Sequence, residues 1–263
     1  MNSKLETLLI SWPAKDVLLV ALNRPEVMNA INTRLAEEMI QLFSCKETSA
    51  KARCIVLTGT GDRAFSAGGD LKERHGMTDR AWFQQHALFE EMTLRVLEYS
   101  GAVIASVNGI AFGGGCELAL CCDFIYAART ARFALTETRL GIMPGGGGTQ
   151  NLPRAVGTRR AKELIFSAQP FSADEAAAWG MVNRLCEPQD LLQESTRAAT
   201  AIASCAPLSI VQAKKAINYG MQLDLKTALQ FEIESYGRLV GTEDRQEGVL
   251  AFNEKRAPKF SGR

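Results

Sequence analysis

Two spacings of apolar residues alternate along most of this chain. Val17 to Leu22 is a continuous apolar run closed by Asn23-Arg24-Pro25, which predicts a buried strand and its turn. Ile31, Leu35, Met39, Leu42 and Phe43 then recur at helical spacing. They predict an amphipathic helix with Glu37, Glu38 and Gln41 on its exposed side. Cys54 to Thr58 predicts a second short buried strand, ending at Gly59. The loop GTGDRAFSAGGDLKER follows, with strand character at Ala64 to Ser66 and glycines at Gly68 and Gly69. A helix is predicted from about Arg80 to Tyr99.

The densest pattern lies between Val103 and Gln150. Val103 to Val107 predicts a buried strand that ends in the turn Asn108-Gly109. Gly113, Gly114 and Gly115 come next, then an apolar run with helical character containing Leu118, Leu120, Cys121 and Cys122. Glycines between a strand and a helix let backbone N–H groups approach a ligand. Glu117 falls in the first turn of that helix. A further strand, Arg132 to Leu135, precedes a second carboxylate, Glu137, and the glycine-rich loop Pro144 to Gly148 closes the segment.

After this block the pattern becomes helical. Arg159 to Ala168 predicts a short helix, and Ser172-Ala173-Asp174-Glu175 is a capping box that opens another. Helices are expected over Leu191–Ser204, Leu208–Gly220, Leu225–Leu239 and after Thr242. The shift near Pro188 places a boundary at about residue 195, dividing 1–195 from a helical 196–263. Pattern alone gives α/β followed by an all-α segment.

Composition narrows the partners. The chain has 263 residues, 46% hydrophobic and 22% charged, as in an ordinary globular protein. A formal net charge of +1 offers no attraction for nucleic acid or an anionic membrane. No apolar run is long enough to span a bilayer. The N-terminus, MNSKLETLLISWPAKD, lacks signal-peptide features. Seven scattered cysteines without a C-x-x-C pair read as free buried thiols in a reducing compartment, here the cytoplasm. Neither His75 nor His86 has metal-ligand spacing, so no metal is expected. There is no G-x-S-x-G and no Walker A motif, and Gly145 to Gly148 is not a dinucleotide fingerprint.

Taken singly, the candidate residues have ordinary explanations. Glu117 can simply complement a helix N-terminus, Glu137 can be a solvated loop acid, and Gly69 and Gly114 can be turn glycines. The long blocks are more specific. GIAFGGGCELALCCDFIYA and FALTETRLGIMPGGGGTQNLPRAVG strongly resemble the crotonase superfamily, and within it the enoyl-CoA hydratases. The resemblance extends from about Val17 to the C-terminus. It implies a spiral of ββα units followed by a helical C-terminal region that mediates trimerisation.

The same resemblance implies roles. Hydration of a conjugated thioester needs a base for water, an acid at the α-carbon and donors for the thioester oxygen. Glu117 matches the glutamate of the GGGCELA motif, implying a general base. Glu137 follows Phe133-Ala134-Leu135-Thr136 where F-G-Q-P is common, and is implied as the general acid. The departure before it bears on substrate preference. Gly69, where alanine is commoner, and Gly114 are implied as the oxyanion donors. Ala67, Gly69, Asp70, Leu71, Lys72 and Gly114 fall where the family holds the CoA thioester. Phe252 and Lys255 resemble residues that reach a neighbouring subunit's CoA site, though helix packing and surface charge explain them equally.

The expected activity is therefore that of an enoyl-CoA hydratase, with acyl-CoA as substrate, no cofactor beyond the substrate's own coenzyme A, and assembly as a trimer or dimer of trimers. A Δ3,Δ2-enoyl-CoA isomerase is the rival; it typically needs one of the two carboxylates. TETRLGIMPGGGGTQ and DLKER are similar to the methylglutaconyl-CoA hydratase branch, which brings in a branched or dicarboxylic substrate. Some relatives in that branch also bind RNA through first-helix lysines. Here Thr33, Glu37 and Gln41 occupy that helix face, and RNA binding is not expected.

Overall fold

The central strands of the computed structural model are apolar on both faces because helices cover both. The structure describes residues 5–263. Residues 1–4, the start of the stretch read for leader features, lie outside the described residues. β1 (Leu8–Ala14) and β2 (Val17–Leu22) form an antiparallel hairpin. α1 (Thr33–Ser44) and the short α2 (Lys46–Lys51) lead to β3 (Cys54–Gly59), which pairs parallel to β2. β4 (Ala64–Ser66) then leaves for a second sheet, and α3 (Leu71–Arg74) and α4 (Asp79–Leu97) return the chain.

The next two turns repeat this path. β5 (Ala102–Val107) joins the first sheet and β6 (Ile110–Phe112) the second, followed by α5 (Gly114–Leu120). β7 (Phe124–Ala128) joins the first and β8 (Arg132–Ala134) the second. α6 (Gly148–Val156), α7 (Thr158–Ser167), β9 (Phe171–Ser172), α8 (Ala173–Ala178) and β10 (Arg184–Cys186) complete the layers. The sheets have the orders β1-β2-β3-β5-β7-β10 and β4-β6-β8-β9. One strand of each turn goes to each sheet, so strand ends and following loops stack along one side. Asn108 ties two such ends together, donating to Gly59 O at 3.0 Å and Gly61 O at 2.8 Å.

Every residue of β3 and β5 is buried, as parallel strands covered on both faces require. One face packs with α1, α4 and α5 residues in the main core, including Leu35, Met39, Phe89 and Leu118. The other face receives Ala199 and Ala203 of α9 (Leu191–Ala203) against Val56 and Ile104. Ser195, at the expected boundary, is buried in α9, and its hydroxyl donates to Ser106 Oγ at 3.0 Å. Beyond it, α10 (Pro207–Gly220), α11 (Leu225–Val240) and α12 (Glu243–Asn253) bury little. Leu225, Ile233 and Tyr236 on α11 are largely exposed.

The alternating α/β order and the helical C-terminal run match the expectation. The capping box at Ser172 and Glu175 is present, with both reciprocal bonds. Several details differ. The helix after the triple glycine stops at Leu120, and Cys121 caps its end. All seven cysteines are free, but Cys45 is half-buried and Cys205 exposed. Glu38, expected on the outer face of α1, is buried. Its carboxylate accepts from Glu6 N at 2.8 Å, Thr7 N at 2.9 Å and Thr7 Oγ1 at 2.7 Å, and pairs with Arg34 Nε at 3.0 Å. Burial pushes its pKa up, but these bonds outweigh that and hold it below the ordinary value. A carboxylate that clamps the start of β1 to α1 thus occupies a position that spacing assigned to solvent. Among the described residues no helix is long and apolar enough to cross a membrane.

Candidate active site

A cavity of about 420 Å³ opens where the strand-end loops of the second sheet meet α4. Ala67, Gly69, Leu71, Gly114, Glu117 and Glu137 line it. Residues 170 and beyond contribute nothing to its lining.

Segment 67–70 is held beside residues 28–31. Ala67 N–H donates to Met28 O at 2.9 Å, Ile31 N–H to Gly68 O at 2.7 Å, and Asp70 N–H to Ile31 O at 2.8 Å. Parallel pairing alternates direction along the chain, so the Gly69 N–H points away from Ile31. Gly114 backs onto it: a Cβ there would lie 3.7 Å from Gly69 N. Gly114 is the first residue of α5, whose leading N–H groups have no partner within the helix. Two backbone donors therefore stand side by side. The approach depends on glycine. Gly113 has φ +52°, and a Cβ on Gly115 would meet Ser66 O at 2.2 Å.

Glu117 projects from α5 and is buried. Its Oε1 accepts from Gly146 N and Gly148 N, both at 2.8 Å. Burial raises its pKa above the ordinary glutamate value, while the Gly148 and Gly146 N–H groups and nearby His86 pull it back down. Glu137 begins the 3-10 turn Glu137–Leu140 after β8. It is also buried, yet its Oε2 has no hydrogen-bond partner among the described residues. Burial, with the charge of Glu117 adding to it, pushes the Glu137 pKa up to about 7. The two carboxyls thus share one cavity in which burial raises both pKa values, but Glu117 is held by two backbone donors while Glu137 Oε2 meets none.

The remaining expected residues separate. Asp70 is a structural anchor. It caps α3 by accepting from Lys72 N at 3.1 Å and Glu73 N at 3.3 Å, and pairs with Arg24 Nη1 at 2.9 Å. Burial pushes its pKa up, but Arg24 and the cap bonds carry the balance down. Lys72 is exposed and outside the lining. Phe252 on α12 is 83% exposed and Lys255 follows that helix; neither reaches this chain's own cavity.

Other lining residues had no assigned role from the sequence. Trp82, Phe89 and His86 come from the inner face of α4, and Arg74 from the end of α3. His86 Nε2 lies 3.2 Å from Glu90 Oε1. The 144–148 glycine run stood out as a motif, but its service as the cradle for Glu117 shows only in three dimensions.

Known proteins of this construction share the chain's sequence along nearly its whole length. The family model described as enoyl-CoA hydratase/isomerase matches residues 14–263. A short-chain-enoyl-CoA hydratase of Clostridium acetobutylicum is 42% identical over 240 residues, 91% of this chain and 92% of that protein. The mitochondrial methylglutaconyl-CoA hydratase of Mus musculus is 37% identical over 252 residues, 94% of this chain and 80% of that protein. The crystal structure of an enoyl-CoA hydratase from Bacillus anthracis superposes with a TM-score of 0.96 at 40% identity, covering 98% of this chain and 100% of that one. With its glycine-lined donor pair and two buried glutamates, the chain belongs to the enoyl-CoA hydratase/isomerase family.

Proposed function

We propose that this chain is an enoyl-CoA hydratase, a hydro-lyase that adds water across the 2,3 double bond of an acyl-CoA thioester. The observation that carries the mechanism is the unequal pair of carboxyls beside two backbone donors. The thioester oxygen accepts from the Gly69 and Gly114 N–H groups, which stabilise the charge that builds there as the enolate forms. Glu117, oriented by the Gly146 and Gly148 N–H groups, acts in its ionised form and takes a proton from water as the water oxygen bonds to the β-carbon. Glu137, protonated near neutrality, gives its proton to the α-carbon. A proton passing from Glu117 to Glu137 resets the site.

Ala67, Leu71 and the backbone of segment 67–72 are assigned to the thioester side of the CoA moiety. Asp70 shapes that segment, and Lys72 stands at its outer edge. Residues 196–263 form the assembly region. Leu225, Leu229 and Ile233 are 75%, 49% and 69% exposed, an apolar α11 face suited to a trimer or dimer of trimers. Phe252 and Lys255 are assigned to the CoA site of a neighbouring copy, a reading that their exposure supports. Free cysteines accord with a cytoplasmic setting.

The test is loss of absorbance at the conjugated double bond. Crotonyl-, longer 2-enoyl-, 3-methylcrotonyl- and 3-methylglutaconyl-CoA are offered in parallel, with light scattering on the same sample. Hydration of at least one is expected. Conversion of a 3-enoyl-CoA to its 2-enoyl isomer without hydration would make the protein an isomerase. A monomer at micromolar concentration would overturn the assembly.

A further inference from the structure

One titratable side chain in the cavity wall has no part in the chemistry assigned above. His86, on α4 between Trp82 and Phe89, lines the cavity with both of them. Its ring lies against Gly145. A Cβ there would fall 2.6 Å from His86 Cε1 and 2.7 Å from Nε2, so a larger residue would push the ring away. The next residue, Gly146, donates to Glu117 Oε1 at 2.8 Å, and a Cβ on it would stand 3.1 Å from Glu117 Oε2. The imidazole and the Glu117 carboxylate therefore stand against neighbouring residues of one glycine loop.

The ring is oriented from its own helix. Its Nε2 lies 3.2 Å from Glu90 Oε1, one turn further along α4, and the Glu90 side chain is mostly exposed. The other charged groups lining the cavity are Glu117 from α5, Arg74 from α3 and Glu137 from the 3-10 turn. The 144–148 loop brings no titratable side chain. Burial pushes the Glu117 pKa up; the Gly148 and Gly146 N–H groups, and after them the His86 charge, pull it back. Glu137 feels burial, its own backbone N–H and the Glu117 charge, with no share from His86. Histidine is ordinarily cationic below about pH 6.5, the range in which glutamates ionise. The imidazole thus stands where its charge bears on one of the two carboxyls and not on the other.

We propose that His86 is a positioning residue for the base Glu117: held by Glu90 and seated on Gly145, the imidazole braces the loop that carries the Glu117 donors and, when protonated, sets a positive charge beside the carboxylate. The proposal rests on the role of base assigned to Glu117 above and adds the group that helps to keep it ionised. No bond forms or breaks at His86, and it passes no proton to the substrate; it acts through Glu117. A cation near a carboxylate favours the ionised form. That help is present only while the ring holds its proton, so its loss belongs to the acid limb of kcat/KM.

The experiment follows hydration of crotonyl-CoA against pH in wild type, His86→Gln, His86→Lys and Gly145→Ala. In His86→Gln the acid limb of kcat/KM should move up by about half to one pH unit, the expected worth of one partly screened charge. The alkaline limb should stay in place. His86→Lys, which returns a positive charge, should restore part of the shift. Gly145→Ala displaces the ring and should move the same limb, but add little in the His86→Gln background, because both changes remove one contact. A second measurement needs no turnover. The chain has two histidines, so NMR of the imidazole nitrogens reads each one, with the exposed His75 as control. Coupling is reciprocal, so Glu117→Gln should move the His86 titration to lower pH and leave that of His75 unmoved. If wild type hydrates no enoyl-CoA and the His86 titration still moves in Glu117→Gln, the hydratase assignment fails and the pairing stands. An acid limb unmoved in His86→Gln, or a His86 titration unmoved in Glu117→Gln, would overturn the proposal. So would a His86→Gln protein that loses acyl-CoA affinity with its pH profile in place, which would make His86 a substrate contact.

Discussion

Glu117 and Glu137 line the same cavity and are both buried, yet the donors around them differ. Glu117 grows from a helix and is met by two N–H groups of a glycine loop, each at 2.8 Å. Glu137 sits in a one-turn 3-10 segment, and its buried Oε2 meets no protein donor. Burial penalises the anion at both sites. At Glu117 the N–H groups of the glycine loop oppose that penalty; at Glu137 only its own backbone N–H does, and the Glu117 charge adds to the penalty. Burial pushes both side chains toward the protonated form, and the backbone donors around Glu117, with His86 nearby, oppose that push where Glu137 Oε2 has no donor.

Neutralising each carboxyl in turn should give the largest effect. Glu117→Gln and Glu137→Gln keep size and hydrogen bonding but cannot exchange the proton. Each is expected to lower hydration by about 10²–10⁴, the usual worth of a positioned acid or base. The double variant should lose less than the product, because groups acting as a unit are non-additive. Turnover of a 2-enoyl-CoA by absorbance, with CoA-ester binding by calorimetry, checks this. Near-normal hydration in Glu137→Gln would remove the acid from the mechanism.

How far this contrast was legible in the sequence depends on the kind of interaction. β2, β3, β5, α1 and α4 follow from spacing, because a continuous core rewards regular patterns. The carboxylates and donor glycines were found through the family resemblance carried by the GGGCELA and FALTETRLG blocks, not through periodicity. β1 escaped because it is an edge strand with most residues exposed, leaving no clean alternation to read. β6, β7 and β10 are too short, or too closely joined to a helix, to separate from their neighbours. Glu38 was misread because helical spacing cannot foresee that Glu6 and Thr7 will supply three donors. Arg74, Trp82 and His86 meet only because α4 folds back over the 67–71 segment. The glutamate-holding N–H groups carry no side-chain signature at all.

The next effect is on stability. The folded pKa of Glu137, about 7, lies above the ordinary glutamate value of 4.5. The fold therefore favours the protonated form. That contribution is fully present below pH ~4.5 and is lost as pH rises through about 7. It amounts to at most about 3 kcal/mol. Glu137→Gln, which has no anion to bury, should be more stable than wild type at pH 8 by up to that amount and close to it at pH 5. Urea unfolding at the two pH values measures the difference. Equal wild-type and variant stability at both would mean that Glu137 ionises in the fold as easily as in water.

The smallest effect isolates the anchor of Glu117 while leaving Glu137 untouched. A Cβ on Gly148 would stand 2.9 Å from Glu117 Oε1 and 3.0 Å from Pro144 Cβ, so Gly148→Ala forces the carboxylate off its two donors. Losing hydrogen bonds to the charged form raises a carboxyl pKa. The base must be ionised to act, so the acid limb of kcat/KM should move to higher pH. The alkaline limb, set by loss of the Glu137 proton near pH 7, should stay in place. Since the limbs of coupled carboxyls are macroscopic, the informative quantity is the shift of one limb relative to the other. At neutral pH the displaced base should cost about tenfold in kcat, less than outright removal, because a misplaced group still functions part of the time. Acyl-CoA affinity should hold, since Gly148 makes no contact assigned to CoA. The pH profile of the variant against wild type decides the matter. Equal movement of both limbs would show that the two carboxyls titrate as one unit, and that the loop does not set Glu117 apart from Glu137.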